Sequence, residues 1–413
     1  MRILIVSQYF WPESFVINDL SSTLAQAGHK ITIATGKPNY PTGVIWPGYT
    51  QAGTTHEIYE EQIDVFRVPL RPRGKAGALE LSLNYLTFMI SGLWRFPRLL
   101  KGQNFDVVLF FGMSPWTAAL PAALLAWQKK ALLSYWIQDL WPESLSSTGF
   151  VTNRGLLWLA GCAMRFIYSR ADILFLQSEA FRKPVSLYAD TRKMHYLPNP
   201  APNDPPTEDM LPPQIEAAFH DCFSVVFAGN IGRAQSPEVI VRAAKTLQEQ
   251  EHIRLVVVGT GSEHASMQQM ITEHNLKNIV LVGHVNRKMM PKIFSKAGAL
   301  LVTLRADQGF ETVIPSKIQA YMRAGKPIIC ALNGEGARLI KHVGCGVAVR
   351  AEDPDALAKA IISVSLMTTQ EQEVMGMLGR SYFEHHFTTQ CVAMKMIEIL
   401  EGAMKGRSYD KEK

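Results

Sequence analysis

The sequence predicts an α/β protein made of two Rossmann-like domains, on three observations. Short apolar runs alternate with helical patterns along nearly the whole chain. The runs show little polar-apolar alternation, as expected of parallel strands covered by helices on both faces. A proline-dense stretch divides them into two series, and a chain of 413 residues is too long for one ordinary core.

The first series is Ile3–Val6, Ile31–Thr35, Ile63–Val68, Val107–Phe111, Leu132–Ile137 and Ile173–Leu176. Helical patterns with glycine stops lie between, such as Ser14–Ala27 ahead of Gly28. From Leu197 to Pro213 the chain reads LPNPAPNDPPTEDMLPP, which excludes helix and central strand and marks a linker. The second series is Val225–Ala228, Leu255–Val258, Ile279–Val282, Leu300–Leu304, Ile328–Leu332 and Val347–Val349. Beyond it lie a helical stretch, Gln390–Met404, and a polar tail, Lys405–Lys413. The expected domains are residues 1–200 and 201–388, followed by a segment, 389–413, whose helix is expected to pack back on the first domain.

Composition bounds the function. At 47% hydrophobic and 19% charged the chain is globular. A net charge of +6 suits phosphorylated ligands or an anionic membrane surface, but Lys and Arg form no stripe with interleaved aromatics, so no nucleic-acid partner is expected. The five cysteines are scattered, without CxxC or Cys/His metal spacing, and read as buried thiols in a reducing cytosol. The apolar run at the start is too short for a signal-peptide core, so export is not expected.

Residues 78–100 are the greasiest region, but Glu80, Asn84, Arg95 and Arg98 keep it short of an apolar span of about 20 residues. Arg71, Arg73, Lys75, Arg95, Arg98 and Lys101 bracket it. Two readings fit equally: an interfacial helix on anionic headgroups, or a core helix with solvated ends.

The tetrapeptides Trp11-Pro12-Glu13-Ser14 and Trp141-Pro142-Glu143-Ser144 each follow a strand. Loops leaving the carboxyl ends of strands line the crevice of an open α/β sheet, which positions both copies to meet substrate. A rigid turn opening a helix is the alternative, weakened by the duplication. Asp139, just ahead of the second copy, is a further candidate or a simple turn cap.

In the second domain Ala228–Ser236 reads AGNIGRAQS between a strand and a helix. Its glycines let backbone approach a phosphate, helix amides point at an anion, and Arg233 can add a charge-assisted bond. It is neither a Walker loop nor GxGxxG, and a tight turn with a solvated Arg is the alternative. Gly259-Thr260-Gly261-Ser262-Glu263 repeats the layout. Lys317 follows Pro315 in the first turn of a helix, where a cation opposes the macrodipole; an anionic ligand explains it more readily than local stability does. Asp353-Pro354-Asp355 has the form of a metal pair but the grammar of a helix start, an Asp cap followed by Pro, so no metal site is read there.

At these residues the chain resembles a GT-B glycosyltransferase of family 4. It is similar to the branch that transfers L-fucosamine-type or related N-acetylated sugars in O-antigen assembly. The resemblance runs through SQYFWPESFVINDL, Lys37–Gly43, Asp139–Ser144, Leu197–Pro200, GNIGRAQ, Gly283-His284-Val285 and Pro315-Ser316-Lys317. It implies two Rossmann-like domains facing across a cleft, and a cytoplasmic protein peripheral to the inner membrane. The second domain would hold a UDP-activated N-acetylaminosugar, through Gly229, Asn230, Gly232, Arg233, Gly261, Glu263, Val285, Glu311, Ser316 and Lys317. The first would hold an undecaprenyl-diphosphate-linked saccharide.

Transfer with retention is implied, with no cofactor and no metal. Catalysis then needs fixed positive charge where the diphosphate departs, from Lys317, Arg233 and the Gly229–Gly232 amides. In front-face attack the departing phosphate oxygen takes the acceptor proton. Asp139, Glu143 and Glu13 would orient acceptor or sugar, with Glu13 or Asp139 as proton relay.

The chain departs from the family in two places. Of its paired glutamates, the second falls on Ala320 and the first on Thr312, beside Glu311. Asn230 and Ser236 stand where many members carry Arg and Lys, leaving Arg233 and Lys317 as replacements. A non-hydrolysing UDP-sugar epimerase and a non-catalytic nucleotide-sugar-binding subunit are the alternatives. Polar loops at the strand ends of both domains favour the transferase.

Overall fold

The computed structural model describes residues 1–75, 77–114, 116–143, 153–201 and 210–409. Strand β1 (Arg2–Val6) carries four buried aliphatic side chains in succession, as a strand covered on both faces requires. Around it lie β2 (Lys30–Gly36), β3 (Thr55–Tyr59), β4 (Ile63–Val68), β5 (Val107–Gly112), β6 (Leu132–Ile137), β7 (Ile173–Leu176) and β8 (Met194–Tyr196). The sheet order is β3-β4-β2-β1-β5-β6-β7-β8, and only β3 runs antiparallel to its neighbour. The two edge strands, β3 and β8, were not expected from the sequence.

The second sheet contains β9 (Phe223–Ala228), β10 (Ile253–Val258), β11 (Ile279–Gly283), β12 (Ala299–Thr303), β13 (Ile328–Ala331) and β14 (Gly346–Val349). All are parallel, in the order β11-β10-β9-β12-β13-β14. Each sheet reverses its strand order at its first strand, β1 between β2 and β5, and β9 between β10 and β12. In doubly wound folds ligands bind outside the carboxyl ends at such a reversal. The loops after β1 and β9 therefore hold equivalent places.

The chain divides into two compact units, Met1–Pro200 with Thr389–Lys413, and Ala201–Thr388. The terminal helix, Thr389–Tyr409, belongs to the first because Val392, Met396 and Leu400 share one buried cluster with Ile17, Leu20 and Leu24. At about 1.5–3 kcal/mol for each fully buried aliphatic side chain, these contacts anchor it. The first helix begins at Val16, so Glu13 and Ser14 stay in the loop. Asp353 caps the helix Pro354–Ser365 by accepting from the Ala356 amide at 2.9 Å.

The helix Ala78–Leu99 buries Asn84, Phe88, Gly92 and Phe96, one stripe at a spacing of four residues, and leaves apolar side chains on its other face. It is thus a packed helix with a greasy outer side. Among the described residues, no helix is long and apolar enough to cross a membrane. Of the five cysteines, only Cys330 and Cys345 are buried; Cys162, Cys222 and Cys391 are half-buried, against the expectation of five buried thiols.

Candidate functional site

In the second unit a cavity of about 520 Å³ opens beyond β9, lined by the loop after that strand and by the start of the helix Ser316–Ala324. Gly229 leaves β9 at φ +132, and Gly259 leaves β10 at φ +138. A Cβ at Gly259 would stand 1.9 Å from the Gly229 carbonyl oxygen, so only glycine lets the two loops touch. They are zipped together: the Gly229 amide donates to the Val258 carbonyl at 2.9 Å and the Ile231 amide to the Thr260 carbonyl at 2.8 Å. Those two amides are therefore unavailable to an anion, which corrects the expectation for that part of the Gly229–Gly232 backbone. What the glycines provide is space: a Cβ at Gly229 would lie 2.7 Å from Lys317 Cε.

Lys317 is the electrostatic centre of this cavity. Its Nζ is buried without a hydrogen-bond partner and sits 3.8 Å from the centroid of the Phe227 ring. Burial lowers its pKa from the ordinary 10.5 to about 8. The helix that carries it has no side-chain cap at Pro315, so the positive end of the helix and the ammonium act together. Arg287, Arg323 and His284 also line the cavity, and among the described residues no Asp or Glu does. Tyr321 closes the floor, its hydroxyl accepting from the Ala228 amide at 3.0 Å. A cavity with three cationic side chains and no carboxylate suits an anion.

Comparisons with known proteins give the family. A family model described as "Glycosyl transferases group 1" matches residues 213–380, and one described as "Glycosyl transferase 4-like domain" matches residues 14–200. The chain belongs to the glycosyltransferases. It is 22% identical over 423 residues to the Escherichia coli (strain K12) protein WcaI, covering 97% of this chain and all of that one; the name of that relative assigns it to colanic acid biosynthesis as a glycosyl transferase.

Among solved structures it resembles Anabaena Alr3699/HepE in complex with UDP, with a TM-score of 0.67, 14% identity, and coverage of 97% of this chain and 100% of that chain. It also resembles WaaG, a glycosyltransferase involved in lipopolysaccharide biosynthesis, with a TM-score of 0.61, 14% identity, and coverage of 97% and 100%. The fold is that of the GT-B glycosyltransferases.

In this glycosyltransferase the expected donor residues fall into two groups. Gly229, Asn230, Val285, Ser316 and Lys317 line the cavity; Gly232, Arg233, Gly261, Glu263 and Glu311 do not. Arg233 was expected to share a clamp with Lys317. Its side chain is instead 84% exposed and ion-paired with Glu263, Nε to Oε1 at 3.2 Å. Glu311 accepts from Asn333 Nδ2 at 3.2 Å, on the loop after β13. The cationic partners of Lys317 on the cavity wall are Arg287 and Arg323, which the sequence reading missed. Helical spacing gave no signal, since six residues set Arg323 about 120° round the helix from Lys317 although both reach the wall. Among the described residues, no group of three or more His, Cys, Asp or Glu is placed to hold a metal ion.

In the first unit Glu13 is not where a substrate could touch it. It is 1% exposed, and both carboxylate oxygens accept from backbone: Oε2 from Phe10 at 3.2 Å, Oε1 from Asn39 at 2.8 Å and Tyr40 at 2.7 Å. Burial raises its pKa to about 7 against those three amides. Glu13 therefore pins the loop after β1 to the loop after β2, which corrects its assignment as orienting group or proton relay.

Asp139 accepts from the Ser114 amide at 2.8 Å, and its carbonyl from Trp116 Nε1 at 3.1 Å. Trp141 Nε1 donates to Ser114 Oγ at 3.0 Å, so the second Trp-Pro-Glu loop is tied to the end of β5. Glu143 is half-buried, its pKa raised by burial, and interacts with the Tyr188 hydroxyl; Ser144 lies outside the described residues. One residue absent from the expected site, Tyr85, lies near Asp139 and joins it to a cluster with Tyr9 and Arg73. Tyr85 bonds Tyr9 and feels the charges of both Arg73 and Asp139, and Arg73 Nη1 donates to the Tyr9 hydroxyl at 3.3 Å. The Arg73 guanidinium also lies 5.0 Å from the centroid of the Tyr40 ring.

Proposed function

We propose that this glycosyltransferase is a retaining, metal-independent enzyme of surface-polysaccharide assembly. It moves an N-acetylated, fucosamine-like sugar from a UDP donor to an undecaprenyl-diphosphate-linked saccharide at the cytoplasmic face of a membrane. The observation that carries the donor half is the buried, unpartnered ammonium of Lys317 in a cavity with Arg287, Arg323 and no carboxylate. Such a charge is costly without a counterion, and a departing diphosphate is one. The UDP complex of a protein with the same fold and the name of the E. coli relative support the donor class and the setting. The fucosamine-like sugar rests on the motif resemblance alone.

Mechanistically, negative charge grows on the leaving diphosphate as the sugar becomes oxocarbenium-like. Cations fixed at those oxygens are stronger partners for the transition state than for the ground state, which lowers the barrier. Lys317 and the amino end of its helix hold the charge, with Arg287 and Arg323 on the same wall. The Phe227 face lies 3.8 Å from the ammonium and shields it on that side. Asp139, with Tyr85 near it, is the acceptor-side group for orienting a hydroxyl; Glu13 holds the loops after β1 and β2 in shape.

The test offers the purified enzyme a panel of UDP-N-acetylaminosugars with a polyprenyl-diphosphate monosaccharide, with and without chelator, and reads lipid products by mass. The expected result is one productive donor, unaffected by chelation. UDP binding without any lipid product would sink the enzymatic reading in favour of a binding subunit. Interconversion of nucleotide sugars without acceptor would indicate an epimerase, and strict dependence on added divalent ion would overturn the metal-free mechanism.

A further inference from the structure

Three helices of the first unit lie in a row: Ala78–Leu99 packs on Ala119–Lys129, which packs on Arg154–Arg170. Their inner faces supply Phe88 and Phe96, Leu125, and Met164 and Tyr168 to the core. Their outer faces are unusually greasy. Ile90 and Trp94 stand out from the first, Trp127 from the second, and Trp158, Leu159 and Phe166 from the third, with Trp94, Trp127 and Trp158 at 65%, 77% and 67% exposure. Large apolar side chains grouped in this way mark an interaction surface.

Charge identifies what covers it. Arg71 and Arg95 line an open groove of about 690 Å³ together with Ile90 and Trp94. The Arg98 guanidinium lies 4.9 Å from the Trp94 ring centroid, and that of Arg170 4.6 Å from the Phe166 centroid. Among the described residues none of these four arginines is ion-paired with a carboxylate. Cations threaded through exposed tryptophans suit the headgroup layer of an anionic bilayer, where rings sit at the apolar boundary and arginines meet phosphate. A second copy of the chain would bring like charges together, which disfavours it as the occupant.

We propose that this three-helix face seats the protein on an anionic lipid surface, with the third helix and Trp127 contributing alongside the first, and Arg71 and Arg95 meeting lipid phosphate. The inference does not depend on the transferase reading, because docking needs no sugar nucleotide. It is tested by floating the full chain, without nucleotide, with vesicles of phosphatidylglycerol and phosphatidylcholine in equal parts, or of phosphatidylcholine alone.

The chain should float with the first, not the second, and be released by high salt. On the anionic vesicles the double variants Ile90→Ser/Trp94→Ser, Trp158→Ser/Phe166→Ser and Arg71→Gln/Arg95→Gln should each weaken partition about tenfold. Unchanged far-ultraviolet circular dichroism and thermal melting in every variant would show that the first unit is intact, since all the substitutions lie there. Equal binding to both vesicle types, or wild-type partition by all three variants, would overturn the proposal. So would a solution dimer that Trp94→Ser dissociates, in a protein that floats with neither vesicle.

Discussion

The loops after β1 and β9 occupy the same place in two doubly wound sheets, yet one encloses an acid and the other faces a base. Glu13 has every oxygen engaged, by three amides of its own unit. Lys317, pressed against the Gly229 loop, has no hydrogen-bond partner among the described residues. The first loop is complete as folded; the second leaves a buried ammonium without a hydrogen-bond partner. An unpaired buried charge destabilises the empty protein, so its presence is better explained by what binds there than by the fold.

The sharpest way to break that contrast is Glu13→Ala. Removing the carboxylate orphans buried amides at Phe10, Asn39 and Tyr40, and the expected loss is about 3–5 kcal/mol of unfolding free energy. Glu13→Gln should cost less, because its one carbonyl oxygen can still serve Asn39 and Tyr40 while its amide opposes the Phe10 donor. Denaturant titration checks both. Unchanged stability in Glu13→Ala would mean that the carboxylate does not hold the loop.

Lys317→Met should do the opposite to the other loop. UDP affinity is expected to fall roughly a hundredfold, the scale of a desolvated charged contact. The ligand-free protein should become more stable, by at most about 3 kcal/mol, since the shift from 10.5 to about 8 is the cost of keeping that charge indoors. Calorimetry and thermal melts on one sample measure both. A variant that loses UDP binding and stability together would refute the idea of a waiting cation.

The sequence carried these two residues unequally. The strands with continuous apolar runs were readable because both their faces are buried. Thr55–Tyr59 and Met194–Tyr196 were not, since an edge strand is held by main-chain pairing and needs no greasy run. Lys317 was readable as a cation at the wrong end of a helix. Glu13 was readable as a loop residue, but its partners Asn39 and Tyr40 lie 26 and 27 positions away, and local sequence does not show a carboxylate turned inward. Arg287 and Arg323 look like ordinary surface arginines until the fold brings them to one wall.

A pH series sharpens the comparison further. The folded, ligand-free Lys317 gives up its proton near pH 8 and the unfolded chain near 10.5, so the unfolded state holds more protons in that window and stability should rise with pH across it. Binding an anion requires the charged form, so UDP affinity should fall as pH rises through 8, by up to about tenfold per pH unit. Lys317→Met should flatten this dependence. A wild-type profile that stays flat to pH 10 would place the diphosphate away from the ammonium.

The smallest expected effect is also the most discriminating. Arg233 belongs to the loop after β9 and was the natural partner for Lys317 by sequence, but it faces solvent and pairs with Glu263. An exposed pair of that kind contributes about 0.2–1 kcal/mol, so Arg233→Ala should change UDP affinity less than about fivefold and leave stability unaltered. Arg287→Ala, on the cavity wall, should lose clearly more. If the order came out reversed, the diphosphate would lie over the outer edge of the glycine loop. The cavity beside Lys317 would then hold some other part of the donor, and the contrast between the two loops would have to be drawn from Arg233 instead.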